Sequence, residues 1–449
     1  MPFVAVPVDL PEQVVELRAG DVDADGVDEL VALSAKRRGT KPDAVSFTVM
    51  GFQPTGRVND RWTADVQNRA LFADVQSGFW AVGADGIVAL ESTGPRTVVD
   101  MRTPLSGVGM SRAQMTDVFV DLEDDGTAEA VIAMGGTIRI VSVDGKERAK
   151  VNARSRGELS SRRSIGNQLV VSSVSPAWKI DDFDGDGFRD LLLPDGEWLT
   201  VYHLNAEGMR TKKSIKLPLN VNARPEDDPN KRSAVEKEVQ SVWFEDVNGD
   251  GKTDFVAQLW VSEGSWFGAV GEVVFAPGTG TGFGPAQRIS SDEAVMAVNL
   301  VDLNGDGRKE LCTFHVDLGV GTLARALVSK QVKIQMYARS LSGARFGPAT
   351  PLHTVVRPVE SRQESAFEFE HDVTGDGLPD LVTKDEDGGL AVFSGNGKGF
   401  SDTAIRADSG ALKGEEARIW VGDLTGDAQA EIVVWKTKTK RAQLLMFKP

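Results

Sequence analysis

Asp182-Phe183-Asp184-Gly185-Asp186-Gly187-Phe188-Arg189-Asp190-Leu191 places acidic side chains at positions one, three, five and nine, glycine at position six, and an apolar run from position ten. The same order, Asp-x-(Asp/Asn/Glu/Thr)-x-Asp-Gly-x-x-(Asp/Glu), begins at Asp21, Asp121, Asp182, Asp246, Asp302, Asp372 and Asp423, the last with alanine in place of the glycine. Successive starts lie 100, 61, 64, 56, 70 and 51 residues apart. The first interval is about two ordinary ones. Near its middle, Leu71-Phe72-Ala73-Asp74-Val75-Gln76-Ser77-Gly78-Phe79 reads as an eighth copy whose acids have been lost. Eight units then average about 57 residues each.

A period in the fifties with several short strands per unit is the signature of a β-propeller, each unit a four-stranded blade. Between Asp302 and Asp372 the strand-like runs are 310–315, 331–337 and 349–355, followed by 367–372, separated by Gly, Asp and Ser turns. No stretch carries helical periodicity. The expectation is an all-β chain in which residues 1–449 form a single propeller domain of eight blades, with seven as the runner-up count. The last unit stops after an apparent third strand at 442–447, while Phe3–Val8 precedes the first acidic loop as an outer fourth strand would. The N-terminal strand is therefore expected to complete the final blade and close the ring, removing open sheet edges.

Alternating oxygen donors, a glycine able to take positive φ at a sharp turn, and an acid at position nine suit a hard cation of calcium's size. Zinc prefers His or Cys, and magnesium is less suited to so many protein oxygens. An EF-hand opens the same way but needs a carboxylate at position twelve and a following helix. Here position twelve is Ala32, Ile132, Leu193, Ala257, Thr313, Thr383 and Val434, each in a strand-like run.

The rest of the composition narrows the function classes. The 449 residues are 41% hydrophobic and 26% charged, with no long uncharged apolar stretch of the kind a membrane helix needs. Acids outnumber Lys and Arg by 66 to 50, a net charge of -16, which disfavours nucleic acid as a partner. The one cysteine, Cys312, excludes an internal disulfide framework and reads as a small buried hydrophobe. The first residues have no cationic segment followed by an apolar core, so the expectation is either a cytoplasmic protein or a sequence from which the leader of an exported protein has been removed.

The loops, together with Gly282-Phe283-Gly284-Pro285-Ala286, Arg345-Phe346-Gly347-Pro348-Ala349 and the looser Gly395-Asn396-Gly397-Lys398-Gly399-Phe400, resemble the FG-GAP or VCBS repeats of integrin α-subunit propellers and of many bacterial surface proteins. The resemblance spans essentially the whole chain. It implies that each loop joins the first two strands of a blade and holds Ca2+, at up to seven sites. Carried over position by position, the implied metal ligands are Asp21, Asp23, Asp25 and Glu29; Asp121, Glu123, Asp125 and Glu129; Asp182, Asp184, Asp186 and Asp190; and Asp246, Asn248, Asp250 and Asp254. The remaining loops contribute Asp302, Asn304, Asp306 and Glu310; Asp372, Thr374, Asp376 and Asp380; and Asp423, Thr425, Asp427 and Glu431. Thr374, Thr425 and the substituted Ala428 depart from the pattern, so the 182 and 246 loops are expected to be tightest and the 423 loop weakest.

These loops hold four acids in each of the first three copies and three in each of the other four, 24 of the 66. Seven Ca2+ would bring -16 to about -2, so the acid excess reads as a demand for metal. His203, His315, His353 and His371 form no spaced ligand pair and read as ordinary strand or loop residues. No nucleophile elbow, phosphate loop or dinucleotide fingerprint is present. The chain is therefore expected to be non-enzymatic, with structural calcium. Two stretches stand out from the acidic background, the basic segment Lys146, Arg148, Lys150, Arg154, Arg156, Arg162 and Arg163 and the polar insertion 210–240; they are candidates for partner binding, with a solvated loop as the competing reading. Trp243, Trp260, Trp266 and Trp435 are candidates for stacking on sugars, with core packing as the competing reading. The expectation is a protein-interaction or adhesion scaffold outside the cytoplasm, in the periplasm, on the cell surface or secreted. The alternatives are a glycan-binding lectin propeller or a carbohydrate-active, polysaccharide lyase-like enzyme.

Overall fold

Every element with defined bounds among the described residues is a strand. The computed structural model describes residues 3–23, 25–38, 41–66, 71–75, 78–103, 113–134, 136–153, 156–162, 168–174, 177–219, 236–262, 270–316, 328–329, 331–358, 367–384, 389–407, 417–436 and 441–448. Eight sheets contain four consecutive antiparallel strands each. Blade one is Val14–Gly20, Glu29–Arg38, Lys41–Phe52 and Val58–Asp65; blade two is Leu71–Val75, Phe79–Gly83, Gly86–Glu91 and Gly94–Asp100. Blade three is Phe119–Val120, Glu129–Met134, Thr137–Ser142 and Glu147–Asn152; blade four is Lys179–Asp181, Asp190–Asp195, Trp198–Asn205 and Gly208–Lys216. Blade five is Glu236–Glu245, Asp254–Ser262, Val270–Ala276 and Gln287–Ser290; blade six is Ala294–Val301, Glu310–Val316, Gln331–Arg339 and Thr350–Pro358. Blade seven is Phe367–Glu368, Leu381–Lys384, Leu390–Phe393 and Ile405–Ala407. Blade eight is Ala417–Gly422, Glu431–Lys436 and Arg441–Phe447, completed by the N-terminal strand Phe3–Asp9.

Ring closure follows from where the cores lie. Eight apolar clusters occupy the eight junctions between successive blades, and one of them joins blade eight to blade one through Leu424, Val433 and Leu444 against Leu17, Leu30 and Met50. The count is therefore eight, and the degenerate unit around Leu71 is a full blade. Second strands are covered on both faces by neighbouring blades: Glu310–Val316, Leu381–Lys384 and Glu431–Lys436 are buried along nearly their whole length. That is why they read as continuous apolar runs rather than alternating ones. Cys312 lies in one of them, buried as expected.

The two ends of the polar stretch expected as an insertion are blade strands. Gly208–Lys216 is the fourth strand of blade four and Glu236–Glu245 the first of blade five; residues 220–235 lie outside the described residues. The exposed strand carries Arg210, Lys212, Lys213 and Lys216 because a rim strand has little to bury and its charges guard an open edge. The basic segment likewise runs into the fourth strand of blade three and an added hairpin, Arg156–Arg162 with Gln168–Val174; Arg154 and Arg163 lie outside the described residues. Of the four tryptophans, Trp435 is buried, Trp243 and Trp260 are half-buried, and Trp266 is outside the described residues. No helix among the described residues is long and apolar enough to cross a membrane.

Candidate metal centres

Each acidic loop joins the first and second strands of its blade, and its sequence dictates its shape. Position two points into the inter-blade core: Leu122, Phe183, Val247, Leu303, Val373 and Leu424 are all buried. With that residue pinned, the position-one carboxylate caps the turn. In the 246 loop, Gly249 N donates to Asp246 Oδ1 at 2.7 Å and Gly251 N to Oδ2 at 2.8 Å, and Lys252 N donates to Asp250 Oδ1 at 3.0 Å. The 423 loop repeats this with Gly426, Ala428 and Gln429 as donors. Ala428 holds φ 67, the left-handed conformation that glycine holds at 251, 307 and 377. The loops are thus curled by their own amides, and a carboxylate oxygen that accepts an N–H keeps a second lone pair for an ion.

Position nine is the inner wall. Glu129, Asp190, Asp254, Glu310, Asp380 and Glu431 are each no more than 4% exposed. Burial pushes Glu29, Glu129 and Glu431 up to about 7 and Asp254 up to about 6, and raises Asp190, Glu310 and Asp380 above the ordinary carboxylate range. A buried acid whose charged form is disfavoured is one that a cation would relieve.

Among the described residues, three loops gather acidic oxygens to within 4.8 Å of one another: Asp21, Asp23 and Glu29; Asp182, Asp184 and Asp186; and Asp372, Asp376 and Asp380. Asp184 Oδ1 and Thr374 Oγ1, both at position three, are buried oxygens without a hydrogen-bond partner. Orphaned oxygens facing acids are what a hard cation's donor set looks like before the ion arrives, so the residues fit a divalent ion. In the 246, 302 and 423 loops a neutral position-three side chain bonds the acid instead: Asn248 Nδ2 to Asp254 at 3.2 Å, Asn304 Nδ2 to Glu310 at 2.9 Å, and Thr425 Oγ1 to Glu431 at 3.2 Å.

Two residues that the loop sequences do not announce enter the cages from strands. Arg148 places Nη1 3.4 Å from Glu123 and Nε 3.7 Å from Glu129, so the 121 loop already holds a cation of its own. His203, read from sequence as an ordinary strand residue, places Nδ1 3.0 Å from Asp190 Oδ2 and 3.3 Å from Asp184 Oδ2. The other histidines stay outside the loops' donor sets. His353 packs at a tilt of 51° against Phe393, and His371 lies 3.6 Å from Glu368. Ser291 and Glu293 both approach His315 at Nδ1, while Nε2 meets the buried Thr313, so this trio lacks an exposed nucleophile on the ring's other nitrogen.

The loops are also chained to one another. The position-eight amide of one loop donates to the preceding loop's backbone: Arg189 to Leu122 at 3.0 Å, Thr253 to Asp182 at 3.1 Å, Lys309 to Val247 at 2.9 Å and Ala430 to Asp372 at 2.7 Å. Blade two lacks the acids, but Asp74 takes over the link by accepting from Val118 N and Phe119 N of blade three at 2.8 and 2.9 Å.

Residues 246–313 and 372–434, which contain four of these loops, match the model of the FG-GAP-like repeat. These two regions are FG-GAP-like repeats within a ring of eight blades. No curated protein matches this propeller's sequence. Among solved structures it is similar to the β-propeller domain of Myceliophteria thermophila Cps50 (Swd1), at 11% identity and TM-score 0.36 over 98% of this chain and 100% of that one. It is also similar to the exotype rhamnogalacturonan lyase YesX, at 11% identity and TM-score 0.37 over 99% and 76%. A third similar structure is the Photorhabdus luminescens Tc holotoxin pore, at 11% identity and TM-score 0.27, where 97% of the propeller aligns but spans only 27% of that chain.

Proposed function

We propose that this propeller is a non-enzymatic scaffold, stabilised by Ca2+ in its acidic loops, that presents a surface to protein partners outside the cytoplasm. The observation that carries the reading is the repetition: the same amide-capped loop in seven blades, each with a position-nine acid in or beside the inter-blade core. An ion there ties the first hairpin of a blade, and through the position-eight amide it steadies the neighbouring loop. The oxygen-only sets favour calcium, and extracellular modules bind it at roughly 10⁻⁴ to 10⁻³ M, a range in which cytosolic sites would stay empty. The 121 loop has the least need of an ion because Arg148 supplies positive charge.

Ligand linkage provides the test. Millimolar Ca2+ is about 1 to 10 times such a Kd and adds roughly 0.4–1.4 kcal/mol per site to the folded state, so several sites together should raise Tm by several degrees. Calorimetry in millimolar Ca2+ and then in EDTA should show that difference, and coincident melts would remove calcium from the reading. A pull-down from an envelope or secreted fraction, run with and without Ca2+, tests the scaffold role. The second reading, a glycan-binding propeller, draws on a cavity of about 330 Å³ beside the first loop, where Asn59, Asp60 and Trp62 face Asp23, Asp25 and Glu29. Hydroxyl-bonding groups, an aromatic face and an ion site suit a sugar, and a glycan array run beside the pull-down separates the two readings.

A further inference from the structure

The 182 loop departs from its six counterparts at the one place where a nitrogen ligand can enter. In the others, the position-two amide donates to the position-nine acid at 2.8 to 3.1 Å. Asp190 lacks that bond: it accepts from Leu204 N at 3.0 Å, as Asp254 does from Gly278 N and Asp380 from Gly395 N, and it alone is hydrogen-bonded to an imidazole, His203 Nδ1 at 3.0 Å. Strand register gives the residue that corresponds to His203 in each blade, because position ten pairs with the residue just before it: Leu191 opposite Tyr202, Leu30 opposite Met50, Phe255 opposite Ala276. The corresponding residues are Gly51, Ser142, Pro277, Ser340, Ser394 and Met446. Only blade four offers an imidazole.

We propose that the blade-four loop is a mixed nitrogen-oxygen site for a borderline transition ion of the zinc type, bound by Asp184, Asp190 and His203, rather than a calcium site like the others. The inference rests on the loops being ion sites at all and changes the ion for this one. Three features point the same way. Ligand atoms of the three residues lie within 4.8 Å of one another. Two ligands on a tetrahedral ion with bonds of about 2.1 Å stand about 3.4 Å apart, and His203 Nδ1 is 3.3 Å from Asp184 and 3.0 Å from Asp190. Asp184 Oδ1 is buried without a partner, in a site where the side chains of Asp190 and His203 are 1% and 14% exposed. An imidazole ranks zinc far above calcium, which gains little from nitrogen. Asp182 and Asp186 lie on the outer side of the set, with Arg210 Nη1 3.7 Å from Asp186.

The test uses the full chain in millimolar Ca2+, titrated with Zn2+ by calorimetry and with Co2+ by visible absorption. One equivalent of Zn2+ should bind without being displaced by Ca2+, and Co2+ should give a d–d spectrum carrying a nitrogen-ligand signature. His203→Gln should weaken Zn2+ by about tenfold or more and abolish that spectrum, while Ca2+ uptake and the circular dichroism of the strands are retained. Unchanged Zn2+ binding in His203→Gln, or displacement of Zn2+ by millimolar Ca2+, overturns the assignment. Zn2+ bound through His203 in a chain that takes up no Ca2+ would sustain this site and overturn the calcium reading instead, so the two failures are distinguishable.

Discussion

At the scale of single residues, position six of the acidic loop isolates one backbone conformation. Ala428 holds φ 67 where the loops at 246, 302 and 372 have glycine, and an L-residue there costs roughly 1–2 kcal/mol. Glycine removes that strain but loosens the unfolded chain, which costs about 0.4–1 kcal/mol. Ala428→Gly should therefore stabilise by about 0.5–1 kcal/mol, read as a higher denaturant midpoint with an unchanged slope; a lower midpoint would contradict the account. His315 allows a prediction in pH. Burial, with Arg339 nearby, pushes it down to about 4 from 6.5, so the unfolded chain takes up the proton first. The stability it contributes is whole above pH 6.5 and is lost as pH falls toward 4, by on the order of 2 kcal/mol. The raised loop acids act in the opposite sense, since they bind protons more readily when folded, but they are common to both chains in a comparison with His315→Gln. The variant should lose less Tm between pH 7 and pH 4.5 than the parent, and equal losses would show that His315 does not titrate this way.

Among the elements, blade two shows what an acidic loop contributes once its acids are gone. Asp74 is nearly buried and accepts from Val75, Val118 and Phe119 amides, so it is the hydrogen-bond acceptor that couples blade two to blade three. Asp74→Ala leaves those amides without partners and should cost about 2–3 kcal/mol; Asp74→Asn, which keeps a carbonyl acceptor, should cost less. Equal losses in urea melts would mean that packing, not acceptance, carries the junction. The same blade marks how far the fold could be read from sequence. The period and the loop positions were legible because each depends on residues close in the chain: alternating acids, a glycine at position six, an apolar second strand; the closing strand, which joins the two ends, was legible only because the last unit stops one strand short. Strand ends were misjudged by up to four residues, the run 367–372 being the two-residue strand Phe367–Glu368, and Gly208–Lys216 read as an insertion because an exposed rim strand has the polarity of a loop. His203 and Arg148 were not legible as cage residues. They lie 13 and 19 residues beyond Asp190 and Glu129, on strands that return to the loop, and only register brings them there. Single-residue signals did exist in hindsight: His203 is a histidine at a position that elsewhere is Gly, Ser, Pro or Met.

For the whole molecule the decisive contact is between its two ends. Phe3–Asp9 pairs antiparallel with Arg441–Phe447, Phe3 opposite Phe447 and Asp9 opposite Arg441. Phe3 packs into the core between blades seven and eight, and Val8 into the core between blades eight and one, so one strand serves both junctions on either side of the seam. Pro7 lies in the middle of it and has no amide to donate, which suits an outermost strand and blocks addition of another. Removing residues 1–9 would bare the edge at 441–447 and take apolar side chains out of both cores. Each of Phe3 and Val8 represents roughly 1.5–3 kcal/mol of burial, before the lost backbone bonds are counted. The seven intact blades cannot compensate, because in a ring each core needs a blade on both sides. The truncated chain should unfold at lower denaturant and self-associate through the bared edge, giving larger species by size-exclusion chromatography. Added Phe-Val-Ala-Val-Pro-Val-Asp peptide should return it toward the monomer by occupying that edge. A truncated chain that stayed monomeric with an unshifted melt would mean that the ring is held by its inter-blade cores alone, and the closing strand would then be dispensable.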